Sequence, residues 1–239
     1  MDLTNLNALK GGFDPFRDLL PNSDTRPDDL GTVDLRALSP FQRVLLVNDG
    51  TVTKVLEAYT LEPVESIRLK QETRQLERDY AWLEAPLGTE VVARQVLLHG
   101  RHSATTYAYA VSLLVIARLP AELLCNLAVE PAGLGRVLLN SQIENRREIL
   151  WHGRECVDDL PEGIAQLTGN TFISRTYRII AGGQPIMLIH EKFPLHLPNP
   201  RGTNFRTRLS AIREVRRVMR RLWLTRSKNC AKSISTTTP

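Results

Sequence analysis

Cysteine is scarce in this chain: Cys125, Cys156 and Cys230 are all that its 239 residues hold. An odd count at no metal-binding spacing speaks against a disulfide framework or a zinc site and fits a reducing compartment. Long apolar runs are missing as well. The longest, Val111–Ala117, contains a serine and falls far short of the ~20 residues that a bilayer-spanning helix requires. The opening MDLTNLNALKGGF lacks the charged-then-apolar order of a secretion signal, so a cytoplasmic location is expected. There is no Walker loop, paired CxxC, HExxH or GxSxG, and the five histidines are scattered, which leaves metal and nucleophile-triad chemistry without support.

With 42% hydrophobic and 24% charged residues, the chain is neither disordered nor fibrous, and its length allows one well-filled domain with tails. The net charge of +5 averages two unlike regions. Residues 201–239 hold eleven Lys/Arg and one acid, Glu214, a charge of +10. The first 200 residues hold 20 basic and 25 acidic side chains, a charge of −5. The basicity is terminal, and the pI of about 9.3 is no nucleic-acid signature of the folded part.

Residues 1–36, with DPF, LLPNSD and TRPDDLG, break every helical period and read as an irregular arm. Ser39 followed by Pro40 is an N-cap with proline at the first helical position, and Asn48-Asp49-Gly50 stops the helix that FQRVLLV continues. Thr51 opens a second helix, with Val52, Val55, Leu56 and Tyr59 at helical spacing. Strands are expected at 64–71, 90–99, 105–118 and 143–151, helices from Pro120 and near residue 140. The clearest hairpin runs 172–181, turns at Gly182-Gly183 and returns along 185–193. Hairpins with helices between them argue an α+β domain over 37–200, an antiparallel sheet with helices on one side. Residues 201–239 form a third region. Leu209, Ile212, Val215, Met219, Leu222 and Trp223 make an apolar helical stripe among five arginines, followed by a polar tail.

What chemistry the sequence offers lies in charges at unexpected places. Alternation puts Arg94 on the face of Val92, Val96 and Leu98, and Glu191 on the face of Met187, Ile189 and Phe193. The two charges either pair with each other, lie on an open face, or meet a ligand, since an unpaired buried charge is costly. Arg175 and Arg178 point to opposite faces of their strand, so one at most can join a site. Arg178 is the candidate for a second cation. His190 points away from Glu191 and reads as a solvated histidine.

The stretches NDGTVTKVLE, RQVLLHGRHS with the following AVSLLVIARLP, GLGRVL and RTYRIIAGGQPIMLIHEKF together resemble the chorismate lyase family, in its branch outside the enterobacterial type. The resemblance runs from Ser39 to Phe193. It implies an antiparallel sheet of about six strands with helical flaps, and conversion of chorismate to 4-hydroxybenzoate and pyruvate without metal or organic cofactor. It implies that Arg94 binds the ring carboxylate, that Glu191 faces the ring hydroxyl, and that the Leu134 N–H also reaches the carboxylate. Arg94 and Glu191 are thus the expected catalytic residues, with Leu134 and Arg178 joining them in substrate binding. The product in this family often feeds quinones or glycolipids.

The alternative is a domain of the same fold that senses a small aromatic ligand without catalysis. Some 36 irregular residues before the domain are too few for the winged helix that such regulators carry. The chain is expected to act as a monomer, to bind no nucleic acid, and to touch anionic membranes through the 209–223 helix.

Overall fold

The computed structural model describes residues 18–19, 26–121, 123–124, 134–141, 143–158, 160 and 168–196. The 209–223 helix, most of the arm and most of the helix expected from Pro120 lie outside the described residues.

Two short helices open the domain, α1 (Pro40–Val47) and α2 (Val52–Thr60). Ser39 caps α1 through a full capping box: its hydroxyl accepts from the Gln42 N–H at 3.2 Å, and the Gln42 side chain accepts from the Ser39 N–H at 2.9 Å. The Gln42 amide donates onward to the Leu195 carbonyl at 2.7 Å, which ties the helix start to the end of the sheet. At the turn between the helices, the Asn48 side chain accepts from the Gly50 N–H at 3.0 Å.

Six strands follow: β1 (Val64–Gln75), β2 (Glu90–Gly100), β3 (Thr106–Val115), β4 (Asn145–Cys156), β5 (Thr171–Ala181) and β6 (Gln184–Pro194). They form one antiparallel sheet in the order β1-β2-β3-β6-β5-β4. The β5–β6 hairpin turns through Gly182 and Gly183 at φ of +58° and +77°, a left-handed pair that suits glycine. The β3–β4 connection carries α3 (Leu134–Asn140).

The inner face of the sheet is apolar in two bands. Toward one end, Leu98, Ala108, Ile173 and Phe193 pack against Leu45 and Leu46 of α1 and Leu56 of α2, joined by Leu35 and Leu38. Toward the other, Val92, Leu114, Ile179 and Met187 pack against Val137 and Leu138 of α3, with Leu119 and Leu123. Between the bands run the rows that carry Arg94, Ser112, Glu191, Arg175 and Tyr177. Burial of the two bands therefore holds helices over both ends of a polar middle. On the outer face, Trp82 and Leu83 sit in a short turn over the sheet, and at the β4 edge Gly31 bridges to the Arg154 backbone. Among the described residues no helix is long and apolar enough to cross a membrane.

Candidate active site

A cavity that opens to solvent, about 610 Å³ with its mouth included, occupies the middle rows. Its floor is the sheet, through Ser66, Arg94, Val96, Ser112, Tyr177 and Glu191. Its roof is the α1–α2 turn at Gly50–Thr53 and the start of α3 at Leu134 and Gly135. Gly135 permits that roof to close: a Cβ there would lie 2.8 Å from the Thr51 methyl. Apolar walls with a few convergent charges make a site suited to a small organic anion.

Arg94 and Glu191 both line this cavity and are both 4% exposed. They do not pair with each other. Glu191 is held from the neighbouring strand by Arg175, whose Nε donates to one carboxylate oxygen at 2.9 Å while its Nη2 lies 2.8 Å from the same oxygen as an ion-pair contact. Its other oxygen accepts from the Tyr177 hydroxyl at 3.0 Å. Arg175 is fully buried and also donates to the Asn48 carbonyl, so one side chain orients Glu191 and pins the roof turn. The Glu191 charge and burial act together on Tyr177. Burial is the larger cause, and both raise its pKa, so the phenol stays a hydrogen-bond donor.

Arg94 has no carboxylate within salt-bridge distance among the described residues, and its Nε is buried without a partner. Burial, with the Arg68 charge adding to it, lowers its pKa to about 10. It is still a cation at neutral pH, and an anionic ligand would relieve both the desolvation and the orphaned donor.

Leu134 lies in the cavity wall as the first residue of α3, where a backbone N–H precedes the first intrahelical hydrogen bond. Arg178 corrects the expectation made for it: it stands on the outer face. There it donates to Glu148 at 2.9 Å and Glu84 at 3.2 Å, with its guanidinium 5.6 Å from the Trp82 ring. Arg175 is the inner arginine of the pair. Ile179 and Ile180 are both buried, so β5 is covered on both faces and its parity could not be read from the apolar pattern.

His190 is also not the solvated residue expected. Its Nδ1 lies 2.6 Å from the Thr176 hydroxyl and its Nε2 2.7 Å from Glu155, which Lys192 also contacts at 2.5 Å. Arg147, on β4, is a cavity residue that sequence reasoning missed. Among the described residues no group of three or more His, Cys, Asp or Glu side chains could hold a metal ion.

Comparison with known proteins agrees with this architecture. Residues 46–201 match the family described as chorismate pyruvate-lyase, Rv2949c-like, and the chain belongs to it. The chorismate pyruvate-lyase of Mycobacterium tuberculosis is 32% identical over 171 residues, which cover 69% of this chain and 84% of that protein. That of Mycobacterium leprae is 29% identical over 170 residues, covering 69% and 79%. The six-stranded antiparallel sheet with its helices is thus the chorismate lyase-like fold. Among solved structures, the effector domain of PhnF from Mycobacterium smegmatis aligns at 13% identity and a TM-score of 0.47, covering 62% of this chain and 91% of that one. A GntR-family regulator from Bacillus cereus aligns at 15% identity and a TM-score of 0.44, covering 59% and 95%. Likeness at that level carries no weight for function.

Proposed function

We propose that this protein eliminates the enolpyruvyl group from chorismate, giving 4-hydroxybenzoate and pyruvate. The observation that carries the reading is the pair of inward charges in one cavity: Arg94, a buried cation with no carboxylate partner among the described residues, and Glu191, a carboxylate held rigid by Arg175 and Tyr177. A ring with a carboxylate at one end and a hydroxyl at the other matches that polarity.

In the reaction the hydroxyl-bearing ring carbon loses its proton and the neighbouring carbon–oxygen bond breaks. The electron pair of the C–H bond becomes the last ring double bond, and the departing enolpyruvate takes up a proton at its methylene carbon to become pyruvate. Aromatisation drives the step, so the protein's part is chiefly positioning. In this reading Arg94 and the Leu134 N–H hold the ring carboxylate. Glu191 accepts from the ring hydroxyl and fixes the ring's rotation, and it is the nearest base for the proton. The lyase chemistry asks for no metal or organic cofactor. The product would then serve as a precursor in quinone or glycolipid synthesis, and the arginine-flanked stripe at 209–223 would bring the enzyme to an anionic membrane surface.

Purified protein incubated with chorismate should release 4-hydroxybenzoate and pyruvate in equal amounts, followed by chromatography and a coupled pyruvate assay. Binding of 4-hydroxybenzoate with no release of either product would favour a ligand-sensing domain instead. Co-sedimentation of the full chain with anionic vesicles at low salt, lost in a version ending at Pro200, checks the membrane reading.

A further inference from the structure

The cavity carries one more cation than its own carboxylate can balance, beyond Arg94. Arg175 and Glu191 neutralise each other through one hydrogen bond at 2.9 Å and an ion-pair contact at 2.8 Å. Arg94 and Arg147 line the same space, and neither has a carboxylate within 4 Å among the described residues. The Nε of each is a buried donor with no partner. Arg147 keeps one long contact, from Nη1 to the Asp49 carbonyl at 3.4 Å, which steadies the side chain beside the roof turn without satisfying its charge. A site left with two uncompensated guanidinium groups is matched by a ligand with two negative charges.

Their placement fits two anionic groups on one ligand rather than one shared group. Arg94 is on β2 and Arg147 on the edge strand β4, four strand spacings away in the sheet. At about 4.8 Å per strand that separation is roughly 19 Å between backbones. The two side chains therefore reach into the cavity from opposite sides and leave the middle row, with Glu191, between them. The parity of β4 makes this possible. A bulge between Ile149 and Trp151 lets Arg147 and His152 both face inward, while Trp151 lies against the outer face with Thr176 and His190.

We propose that Arg147 holds the substrate's second carboxylate, the one on the departing three-carbon unit, and so makes the site selective for a ring with two carboxylates over a ring with one. This rests on the lyase reading above. It also separates substrate from product: once enolpyruvate has left, the aromatic product has a single carboxylate for Arg94, and the Arg147 contact is gone. The arginine then adds affinity to the substrate without holding the product back.

The test uses the full chain and two non-reacting aromatic probes, 4-hydroxybenzoate and 3-(carboxymethoxy)-4-hydroxybenzoate, the second with both carboxylates and the hydroxyl but no bond to eliminate. Titration calorimetry should show Arg147→Met weakening the dicarboxylate by about 10- to 100-fold and 4-hydroxybenzoate by no more than about twofold, with Arg147→Lys recovering part of the loss. Arg94→Met should weaken both probes. With chorismate, Arg147→Met should act mainly on KM, and circular dichroism and thermal melts check that each variant is folded. Unchanged dicarboxylate affinity in folded Arg147→Met overturns the proposal, and so does an equal loss for both probes, which would mean general damage to the cavity. A wild type that binds the dicarboxylate in an Arg147-dependent way but does not turn over chorismate would sink the lyase reading and leave Arg147's role standing. A wild type that binds neither probe overturns both.

Discussion

Arg175 and Glu191 sit directly opposite each other on β5 and β6, and two nitrogens of the arginine close on one oxygen of the acid at 2.9 and 2.8 Å. Both side chains are out of water, at 0% and 4% exposure. Removing one partner leaves an uncompensated buried charge, which costs about 3–5 kcal/mol. Arg175→Met should accordingly lower stability by that order in urea unfolding. Adding Glu191→Leu in the same chain should restore most of it, because no orphaned charge then remains. A double variant as unstable as the single one would show that Arg175 acts mainly through its bond to the Asn48 carbonyl and not through Glu191.

Arg94→Ala should cut kcat/KM for chorismate by about two to four orders of magnitude, the equivalent of two charge-assisted hydrogen bonds at about 1.5–3 kcal/mol each. The fold should survive, since Arg94 supports no neighbour through a hydrogen bond with its buried Nε. Steady-state kinetics beside a far-ultraviolet spectrum separates the two effects. A folded variant with near wild-type kinetics would remove Arg94 from the mechanism.

Arg178→Ala should do the opposite. Its partners Glu148 and Glu84 are partly exposed, at 37% and 61% of their side chains, so the pairs contribute about 1 kcal/mol or less. Turnover should stay within about twofold of wild type while the melting temperature drops slightly. A large loss of activity would place Arg178 in the site after all.

His152 gives the fold a pH dependence. Its Nε2–H donates to the Leu46 carbonyl at 2.8 Å while its Nδ1 is buried without a partner. Burial lowers its pKa from 6.5 to about 4, with the charges of Arg175 and Arg26 acting the same way and the Leu46 bond opposing. The unfolded chain takes up this proton before the folded one does. The contribution is therefore complete above pH 6.5 and is lost as pH falls from 6.5 through 4, up to about 3 kcal/mol. His152→Gln should flatten the urea midpoint between pH 7 and pH 5, leaving the smaller slope due to His99, which burial also lowers. Glu155, carried down to about 2, adds a loss only below pH 4.5. Burial alone would raise its pKa, but the hydrogen bond and charge of His190 and the bond from Lys192 outweigh it.

Much of the framework was readable from short stretches of chain, because what decides it is local. The Ser39–Pro40 start of α1, the stop at Asn48-Asp49-Gly50 and the glycine pair between β5 and β6 each follow from the conformations those residues allow. Arg94 and Glu191 were legible for a related reason. Each interrupts an alternating apolar strand, so its face follows from its neighbours. Arg175, Arg178 and Arg147 were not. β5 is buried on both faces around Ile179 and Ile180, and the bulge at Leu150 shifts the parity of β4, so neither strand shows in its own residues which way an arginine points. The partner of Glu191 was equally hidden. A buried charge demands an opposite charge but does not say which one, and the choice of Arg175 over Arg94 depends on cross-strand register, which exists only once β5 and β6 have paired. Local preference placed the elements. The contacts between strands, set by hydrogen-bond register and the burial of two apolar bands, decided which charges share the cavity and which have no counterion there among the described residues.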